Sequence, residues 1–336
     1  MNHKEIVMIT APDPALFWIL IVIYTSLIAG SIGRFIALRN AGEAKRCQRL
    51  ASLRTWWMLV TLGIAGLLAG RLGICLLFTV ASCIAWSEIT TMLSARAQDR
   101  LAIRAGYVLI VINYFLILIG SISLFVVFIP VSSLLVLAVL LLIKGEPTGY
   151  IRSAGGLLWG IMFLGYGVSH AALLMILPGS STGPIGPAGW FLFLVILTET
   201  DDIFQAIVGR LFGAHKRHRI TPTISPNKTW EGFFGGMLVI VILAPLIAPW
   251  LTTLGQQAGP FALSEPLQPV IGPVLAAILI SVAGFFGDIN MSAIKRDSGV
   301  KDSSKLLPGM GGVIDRIDSL TMTAPVFVYF LSWWTA

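Results

Sequence analysis

The fold is decided by residues 287–319, which read GDINMSAIKRDSGVKDSSKLLPGMGGVIDRIDS. A long apolar run precedes this stretch, and another follows it. The stretch itself mixes cations, aspartates, hydroxyl side chains and glycines, which a plain connector between two membrane spans does not need. Carboxylates bind divalent cations, Lys and Arg neutralise phosphate oxygens, and glycines let backbone amides approach an anion. The mixture therefore indicates phosphate chemistry between two hydrophobic helices.

The composition is that of a membrane protein. Hydrophobic residues make up 56% of the 336-residue chain, and charged residues only 12%. A soluble domain usually carries about 25% charged residues. Apolar runs of about 20 residues recur along the whole length, and most lack the polar face of a soluble amphipathic helix. We expect an all-α polytopic integral membrane protein with nine or ten transmembrane helices and a polar, cytoplasm-facing site in its C-terminal half.

The three cysteines indicate neither a disulfide framework nor a zinc motif. Cys75 and Cys83 lie in apolar runs, and Cys47 lies in a basic segment. The first apolar run is too long for the core of a signal peptide and predicts an uncleaved span.

The apolar runs divide the chain into a scaffold half and a catalytic half. We expect residues 1–153 to form a transmembrane scaffold and residues 154–336 to hold the catalytic region, because unusual polar residues gather after Thr198. The predicted spans are 14–36, 56–70, 72–92, 106–121, 123–143, 155–177, 188–208, 232–250, 269–289 and 319–335.

The distribution of basic residues predicts the orientation. With ten spans, 21 of the 23 Lys and Arg residues fall in loops on one side, and only Lys4 and Arg71 fall on the other. The positive-inside rule makes the rich side cytoplasmic and places both termini outside. Orientation and contact with anionic lipids account for the net charge of +7, so no nucleic-acid partner is expected. The basic loops are 34–55, 94–105, 144–153, 209–230 and 291–318.

Three acids lie inside the seventh apolar run. The segment reads Thr198-Glu199-Thr200-Asp201-Asp202. An acid within a span costs a few kcal/mol unless it is paired or bound to a metal. A cation site explains the cluster; the alternative is an acidic helix end at the membrane interface.

A second polar block follows that run. Residues 209–232 read GRLFGAHKRHRITPTISPNKTWEG. Ser225, Lys228 and Thr229 carry donors for phosphate oxygens just before the next span, whose helix dipole favours an anion. The GxxxxGK[ST] pattern of a Walker loop is absent. For the neighbouring basic residues, the alternative is a loop that lies on an anionic membrane.

Residues 287–319 supply the third group of candidate site residues. Asp288 stands at the end of the ninth apolar run, and Asp315 and Asp318 share one face if their segment is helical. The alternatives are helix capping for the aspartates and an ordinary positive-inside flank for Lys295 and Arg296.

These motifs resemble those of the phosphatidate cytidylyltransferases, the CDP-diacylglycerol synthases. The resemblance covers roughly the last two-fifths of the chain and has two departures. The family usually has His where this chain has Met310, and often Glu where it has Met291. The matching segments are Ser292-Ala-Ile-Lys295-Arg296, Lys301-Asp302-Ser303-Ser304, Leu307-Pro308-Gly309, Gly311-Gly312 and Asp315-Arg316-Ile317-Asp318, together with Gly213, Ser225-Pro226, Lys228-Thr229 and Glu231-Gly232.

The resemblance implies a reaction and a set of roles. CTP and phosphatidate would give CDP-diacylglycerol and pyrophosphate, with Mg²⁺ as cofactor, in the inner membrane of a bacterium. CTP, a lipid phosphate and membrane lipids are the implied partners, and a homodimer is left open. Asp202 and Asp288 are the expected metal ligands, with Asp201 as a helper; Asp202 is chosen because its spacing to Gly209 is similar to that of the family. The other expected catalytic residues are Lys295, Arg296, Asp315, Arg316 and Asp318, and the expected substrate-binding residues are Ser225, Lys228, Thr229, Ser292, Lys301, Asp302 and Ser303.

Two other classes of protein stay open at this point. A cation-coupled transporter would also place acids within spans, although here the acids lie near span ends. A non-catalytic paralogue that binds nucleotide or lipid would account for Met291 and Met310.

Overall fold

The computed structural model describes residues 14–39, 42–93, 99–143, 147–177, 183–213, 218–256, 259–260 and 267–335. Parts of six predicted loops, at 34–55, 94–105, 144–153, 178–187, 209–230 and 251–268, lie outside these described residues.

The described chain is an array of helices with one small hairpin, which confirms the predicted all-α polytopic fold. The helices are α1 (Pro14–Ala37), α2 (Glu43–Leu68), α3 (Gly70–Met92), α4 (Arg100–Leu118), α5 (Ile122–Leu142), α6 (Tyr150–Gly160), a π-helical segment (Ile161–Gly167), α7 (Val168–Leu173), α8 (Pro187–Phe212), α9 (Trp230–Leu251), α10 (Gln268–Asp297), α11 (Ile314–Ile317) and α12 (Leu320–Trp334). The antiparallel strands β1 (Arg219–Thr221) and β2 (Ser225–Thr229) lie between α8 and α9.

Eight helical segments in the described part of the chain are long and apolar enough to cross a membrane. They are α1 to α5, the continuous segment from α6 to α7, α9 and α10. Two other predicted spans are also helical but fall outside this group. Helix α8 carries three acids, and α12 has only 15 residues.

Helices extend into several of the predicted loops, and the largest differences are at α2 and α10. Helix α2 begins at Glu43, so most of the predicted basic loop 34–55 is helical. Helix α10 continues to Asp297, which places Lys295 and Arg296 on its last turn rather than in a loop. The helix dipole of α10 stabilises the two cations in its last turn, which favours a helical end there.

The C-terminal helices form one packed group. Helix α9 packs against α8 and α10, and α10 packs against α12. Helix α7 and the π-helical segment pack on α12, and α3 packs on both of them, so the two halves of the chain share an interface. The domain boundary near residue 153 stays a prediction.

Two glycines allow the helices of this group to meet closely at their polar ends. A Cβ at Gly232 would lie 2.6 Å from the Gln205 carbonyl oxygen, and one at Gly287 would lie 2.7 Å from the Asp318 carbonyl oxygen. Any larger residue would push α9 from α8, or α10 from the start of α12. The acids of α8 and α10 consequently reach one common region.

Candidate active site

Lys228 stands between two of the predicted metal-binding acids. Its Nζ lies 2.8 Å from Asp288 Oδ2 and 4.0 Å from Asp202 Oδ1. Strand β2 contributes the lysine, α8 contributes Asp202, and α10 contributes Asp288. The structure therefore brings together residues of all three polar segments that the sequence singled out.

Polar neighbours hold this cluster in place. Lys228 Nζ also donates to Gln205 Oε1 at 3.1 Å and lies 5.5 Å from the centre of the Phe285 ring. Ser319 Oγ donates to Asp202 Oδ2 at 2.7 Å, and Ser292 Oγ donates to Asp288 Oδ1 at 3.3 Å. Each of the two acids thus has a hydroxyl donor on the carboxylate oxygen that does not face the lysine.

The charge of Lys228 is stabilised by its surroundings. Burial alone would lower the pKa of this ammonium group, but the carboxylates of Asp288 and Asp202 raise the pKa above its ordinary value. Its side chain is only 16% exposed, whereas the side chains of Asp202 and Asp288 are 34% and 24% exposed. Lys228 consequently remains protonated at neutral pH, and the two acids remain accessible.

Asp318 adds a third carboxyl group to the same region. Burial, followed by the charges of Asp288 and Asp202, raises the pKa of Asp318 well above its usual value. Its Oδ1 accepts the amide of Ser319 at 2.9 Å. The acids around Lys228 therefore repel one another, and a further cation would relieve that repulsion.

Asp202 and Asp288 fit a magnesium ion that is shared with a substrate. Asp202 Oδ1 and Asp288 Oδ2 both lie within 4.0 Å of Lys228 Nζ, so the two carboxylates border one small region. Mg²⁺ is usually held by one or two carboxylates together with substrate phosphates and waters. The described residues include no group of three or more His, Cys, Asp and Glu side chains placed to hold a metal ion. This donor set suits an ion completed by phosphate oxygens, and the magnesium site stays a prediction.

Asp201, the proposed helper, is buried and contacts Gln205. It is 2% exposed, and its Oδ2 accepts Gln205 Nε2 at 2.8 Å. Since Gln205 also accepts from Lys228, Asp201 supports the cluster through this amide.

Asp315 organises the loop between α10 and α11. Its Oδ1 pairs with Lys295 Nζ at 2.5 Å, and its Oδ2 accepts the amides of Ser303 and Gly312 at 3.0 and 2.9 Å. Burial would raise the pKa of Asp315, but Lys295 and these amides lower it below its usual value. The predicted catalytic residues Lys295 and Asp315 therefore form a buried ion pair.

The remaining predicted residues differ in their surroundings. Lys301 and Asp302 are exposed, and Ser225 is half-buried at the start of β2. Thr229 is buried, and its Oγ1 accepts the Gly232 amide at 3.1 Å as the N-cap of α9. Arg316 lies within electrostatic range of Asp202.

Arg296 is tied to the hairpin rather than to the acids. Its Nε donates to the Ile224 carbonyl at 3.3 Å, and its Nη1 donates to the Val300 carbonyl at 3.2 Å. It therefore connects the hairpin turn to the end of α10.

The sequence interpretation missed Glu88. This residue lies near the end of α3, in the half predicted to be a plain scaffold, and it is 7% exposed. Its carboxylate accepts hydrogen bonds from Ser303, Ser304, Val313 and Ile314. One signal was available: an acid inside an apolar run is costly and tends to mark a functional position.

Known proteins resemble this chain over different lengths. A model of the cytidylyltransferase family matches residues 50–334. The uncharacterized protein YnbB of Escherichia coli (strain K12) is 38% identical over 305 residues, which cover 91% of this chain and 94% of that protein. The phosphatidate cytidylyltransferase of Haemophilus influenzae is 37% identical over 141 residues, or 41% of this chain and 44% of the enzyme. That of Mycobacterium leprae is 34% identical over 185 residues, or 55% of this chain and 52% of the enzyme.

The extent of these matches decides what they support. The chain spans about half the length of the two phosphatidate cytidylyltransferases, whereas the family model covers most of the chain and every residue of the site described above. The chain belongs to the cytidylyltransferase family.

Proposed function

We propose that the protein transfers the cytidylyl group of CTP to phosphatidate, which yields CDP-diacylglycerol and pyrophosphate. The carrying observation is the meeting of Asp202, Lys228 and Asp288, from three separate elements, in one small region. Membership of the cytidylyltransferase family supports the nucleotide. Partial similarity to enzymes named phosphatidate cytidylyltransferase supports the acceptor.

The reaction needs little acid–base chemistry from the protein. An oxygen of the lipid phosphate attacks the α-phosphorus of CTP, and the bond from that phosphorus to the oxygen bridging it to the β-phosphate breaks, so pyrophosphate leaves. A phosphate monoester dianion is already a nucleophile and has no proton to lose. Met310, in the position where the family usually has His, is compatible with this requirement. The protein must instead hold two anions in line and neutralise their charge.

Asp202 and Asp288 would hold the magnesium ion, which when bound supplies positive charge to the triphosphate. Lys228 already lies between these acids and remains protonated, so its ammonium would meet phosphate oxygens at the same place. Lys301 is exposed in the loop between α10 and α11 and is available to the outer phosphates. Arg296 is exposed at the end of α10, and its Nη2 makes neither of the two backbone hydrogen bonds given above, so this group is available to the same phosphates. Lys295 is held by Asp315, so we assign it to the shape of the loop rather than to direct phosphate contact.

An apolar groove beside the acids supports a lipid acceptor. It has a volume of about 670 Å³ and lies between the π-helical segment, α10 and α12. Ile289 and Asn290 of its lining follow Asp288 directly, and Thr321 and Met322 lie one helical turn beyond Asp318. A lipid phosphate near the acids would therefore have hydrophobic surface for an acyl chain within reach. Other lining residues include Met162, Phe163, Tyr166, Phe286 and Pro325.

We place the site on the cytoplasmic side of the bacterial inner membrane. CTP is a cytoplasmic nucleotide, and the polar ends of α8, α9 and α10 lie beside loops that are rich in Lys and Arg. A homodimer stays a prediction.

The test is a defined turnover assay. Purified protein in detergent or nanodiscs receives CTP labelled at the α-phosphorus, phosphatidate and Mg²⁺, and the lipid fraction is examined for linked CMP. We expect labelled lipid and stoichiometric pyrophosphate. Omission of the lipid, or addition of EDTA, should abolish the product.

Substrate substitution separates the parts of the proposal. ATP, GTP and UTP replace CTP in turn, and a second lipid phosphate replaces phosphatidate. Labelled product with another acceptor only would reject phosphatidate and retain nucleotidyl transfer. If folded, monodisperse protein forms no lipid-linked nucleotide with any combination of nucleotide and lipid phosphate, the proposed function is rejected.

A further inference from the structure

Glu88 connects the N-terminal half of the chain to the loop between α10 and α11. It lies on α3, far earlier in the sequence than its partners, which are the two serines at 303 and 304 and the first residues of the segment leading into α11. Its burial and its four hydrogen bonds set it apart from an ordinary surface acid.

The four donors are divided evenly between the two carboxylate oxygens. Oε1 accepts Ser304 Oγ at 2.6 Å and the Val313 amide at 3.0 Å. Oε2 accepts Ser303 Oγ at 2.9 Å and the Ile314 amide at 3.0 Å. A carboxylate suits this arrangement because both of its oxygens only accept, whereas an amide side chain would turn an NH₂ group toward two donors.

Ser303 links Glu88 to the ion pair between Asp315 and Lys295. The Ser303 hydroxyl lies 2.9 Å from Glu88 Oε2 and 3.0 Å from Asp315 Oδ2. Asp315 in turn holds Lys295. Glu88 therefore restrains this loop through Ser303, and Lys295 restrains it through Asp315.

Gly312 packs closely against Ser303 and Glu88, with no space for a larger side chain. A Cβ at Gly312 would collide with the Ser303 hydroxyl and would lie 2.5 Å from each Glu88 carboxylate oxygen. Helix α2 contributes as well, since Thr55 Oγ1 donates to the Pro308 carbonyl at 3.0 Å. The loop thus rests on α2 and α3 rather than on the C-terminal helices alone.

We propose that Glu88 is a positioning residue: its carboxylate holds residues 303–314 in one conformation, and so sets where Asp315, Arg316 and Asp318 stand. The consequence for turnover rests on the proposed function, but the consequence for the loop does not. The supposed scaffold half would then be part of the active-site architecture.

Hydrogen exchange tests the positioning without reference to activity. We expect Glu88→Gln to raise the exchange rate of peptides that cover 303–319 by at least about tenfold, with peptides from α8 and α9 unchanged. The matched control is Glu43→Gln, which removes the same charge from an exposed position at the start of α2 and should change neither region. Exchange at 303–319 in Glu88→Gln that equals the wild type would overturn the proposal.

Turnover distinguishes hydrogen bonding from packing. Gln matches Glu in size but loses acceptors, whereas Asp is shorter and keeps both acceptor oxygens. We expect Glu88→Gln to lower kcat about 30-fold or more with KM for CTP changed less than threefold, and Glu88→Asp to retain more activity than Glu88→Gln. Near-normal kcat in Glu88→Gln with a large loss in Glu88→Asp would show that side-chain volume matters, and would overturn the proposal.

A second variant keeps the test decisive if Glu88→Gln does not fold. Ser304→Ala removes one donor to Glu88 and leaves the carboxylate in place. It should speed exchange of 303–319 by a smaller factor, and the absence of any change would count against the proposal. If wild-type protein does not turn over CTP, the proposed function fails while the exchange data still decide the role of Glu88.

Discussion

Lys228 Nζ lies 2.8 Å from Asp288 Oδ2, although one residue comes from a short hairpin strand and the other from the long helix α10. The same ammonium lies 4.0 Å from Asp202 Oδ1, so one cation connects α8, β2 and α10. This arrangement places positive charge between two acids that are both partly accessible. It is the geometry from which the proposed phosphate site follows.

Removal of the Lys228 charge should disable turnover. We expect Lys228→Met to lower kcat by about 10²–10³-fold, as is typical when a principal electrostatic stabiliser is lost. Lys228→Arg should recover part of the activity because it keeps the charge but has a different donor geometry. The measurement is CTP-dependent formation of lipid-linked CMP.

The control for that variant is Lys305→Ala, which removes an exposed cation from the loop between α10 and α11. Its turnover should stay within about twofold of the wild type, since an exposed charge contributes little. Equal losses in Lys228→Met and Lys305→Ala would mean that general positive charge, and not this position, governs activity.

Asp202 and Asp288 should act together in cation binding. Asp202→Asn and Asp288→Asn are nearly isosteric, so each protein should remain folded in the membrane. Turnover should fall several-hundredfold, on the order of 4 kcal/mol in the barrier. Titration with Mn²⁺, followed by electron paramagnetic resonance in the presence of CTP, should show bound metal in the wild type and a large loss in both variants. Normal metal affinity in either variant would remove that carboxylate from the site.

The sequence predicted the parts of the site that lie in short polar motifs, and it missed contacts made by distant packing. Asp202, Lys228 and Asp288 stood out because each interrupts or borders an apolar run, where charge is expensive. Glu88 also interrupts such a run, but its donors come from a loop near the other end of the chain, and no local pattern predicts that contact. The extension of α2 and α10 was missed for a different reason: basic residues were interpreted as loop, although they are tolerated at a helix end that leaves the membrane.

The buried Lys295–Asp315 ion pair should matter for stability. Replacing one partner leaves the other charge buried, which typically costs about 3–5 kcal/mol. We expect Lys295→Met to lower the midpoint of thermal unfolding in detergent by several degrees. Asp297→Asn, an exposed change two residues further along the chain, should leave the midpoint unchanged and serves as the control.

Asp315 should also contribute to the pH dependence of folding. Its pKa is lowered in the folded protein, because Lys295 and the amides of Gly312 and Ser303 outweigh burial. Its contribution to stability is therefore complete above the unfolded pKa of about 3.9 and is lost as the pH falls through the lower folded pKa. The midpoint of thermal unfolding of the wild type should fall between pH 6 and pH 3, and this fall should be smaller in Asp315→Asn. An identical acid profile in both proteins would contradict this assignment.

Met310 should be a tolerated variation in an active enzyme. Its amide donates to the Leu307 carbonyl at 3.0 Å within the loop, so its backbone is held independently of its side chain. Met310→His should leave turnover within about tenfold, or about 1.4 kcal/mol in the barrier. Wild-type protein that is inert, together with Met310→His protein that forms lipid-linked CMP, would instead identify a degenerate site.

The orientation of the site can be tested with a native cysteine. Cys47 is exposed near the start of α2, where backbone atoms of Gln48 and Ser52 pack against Gly309 of the loop between α10 and α11. Cys47 therefore marks the end of the molecule that carries the site, and the distribution of basic residues predicts that this end faces the cytoplasm. A membrane-impermeant maleimide should leave Cys47 unlabelled in intact cells and label it in inverted vesicles. Cys47→Ser controls for Cys75 and Cys83, which are buried and half-buried. Labelling of Cys47 from outside intact cells would reverse the orientation and would place the site on the side where CTP is not supplied.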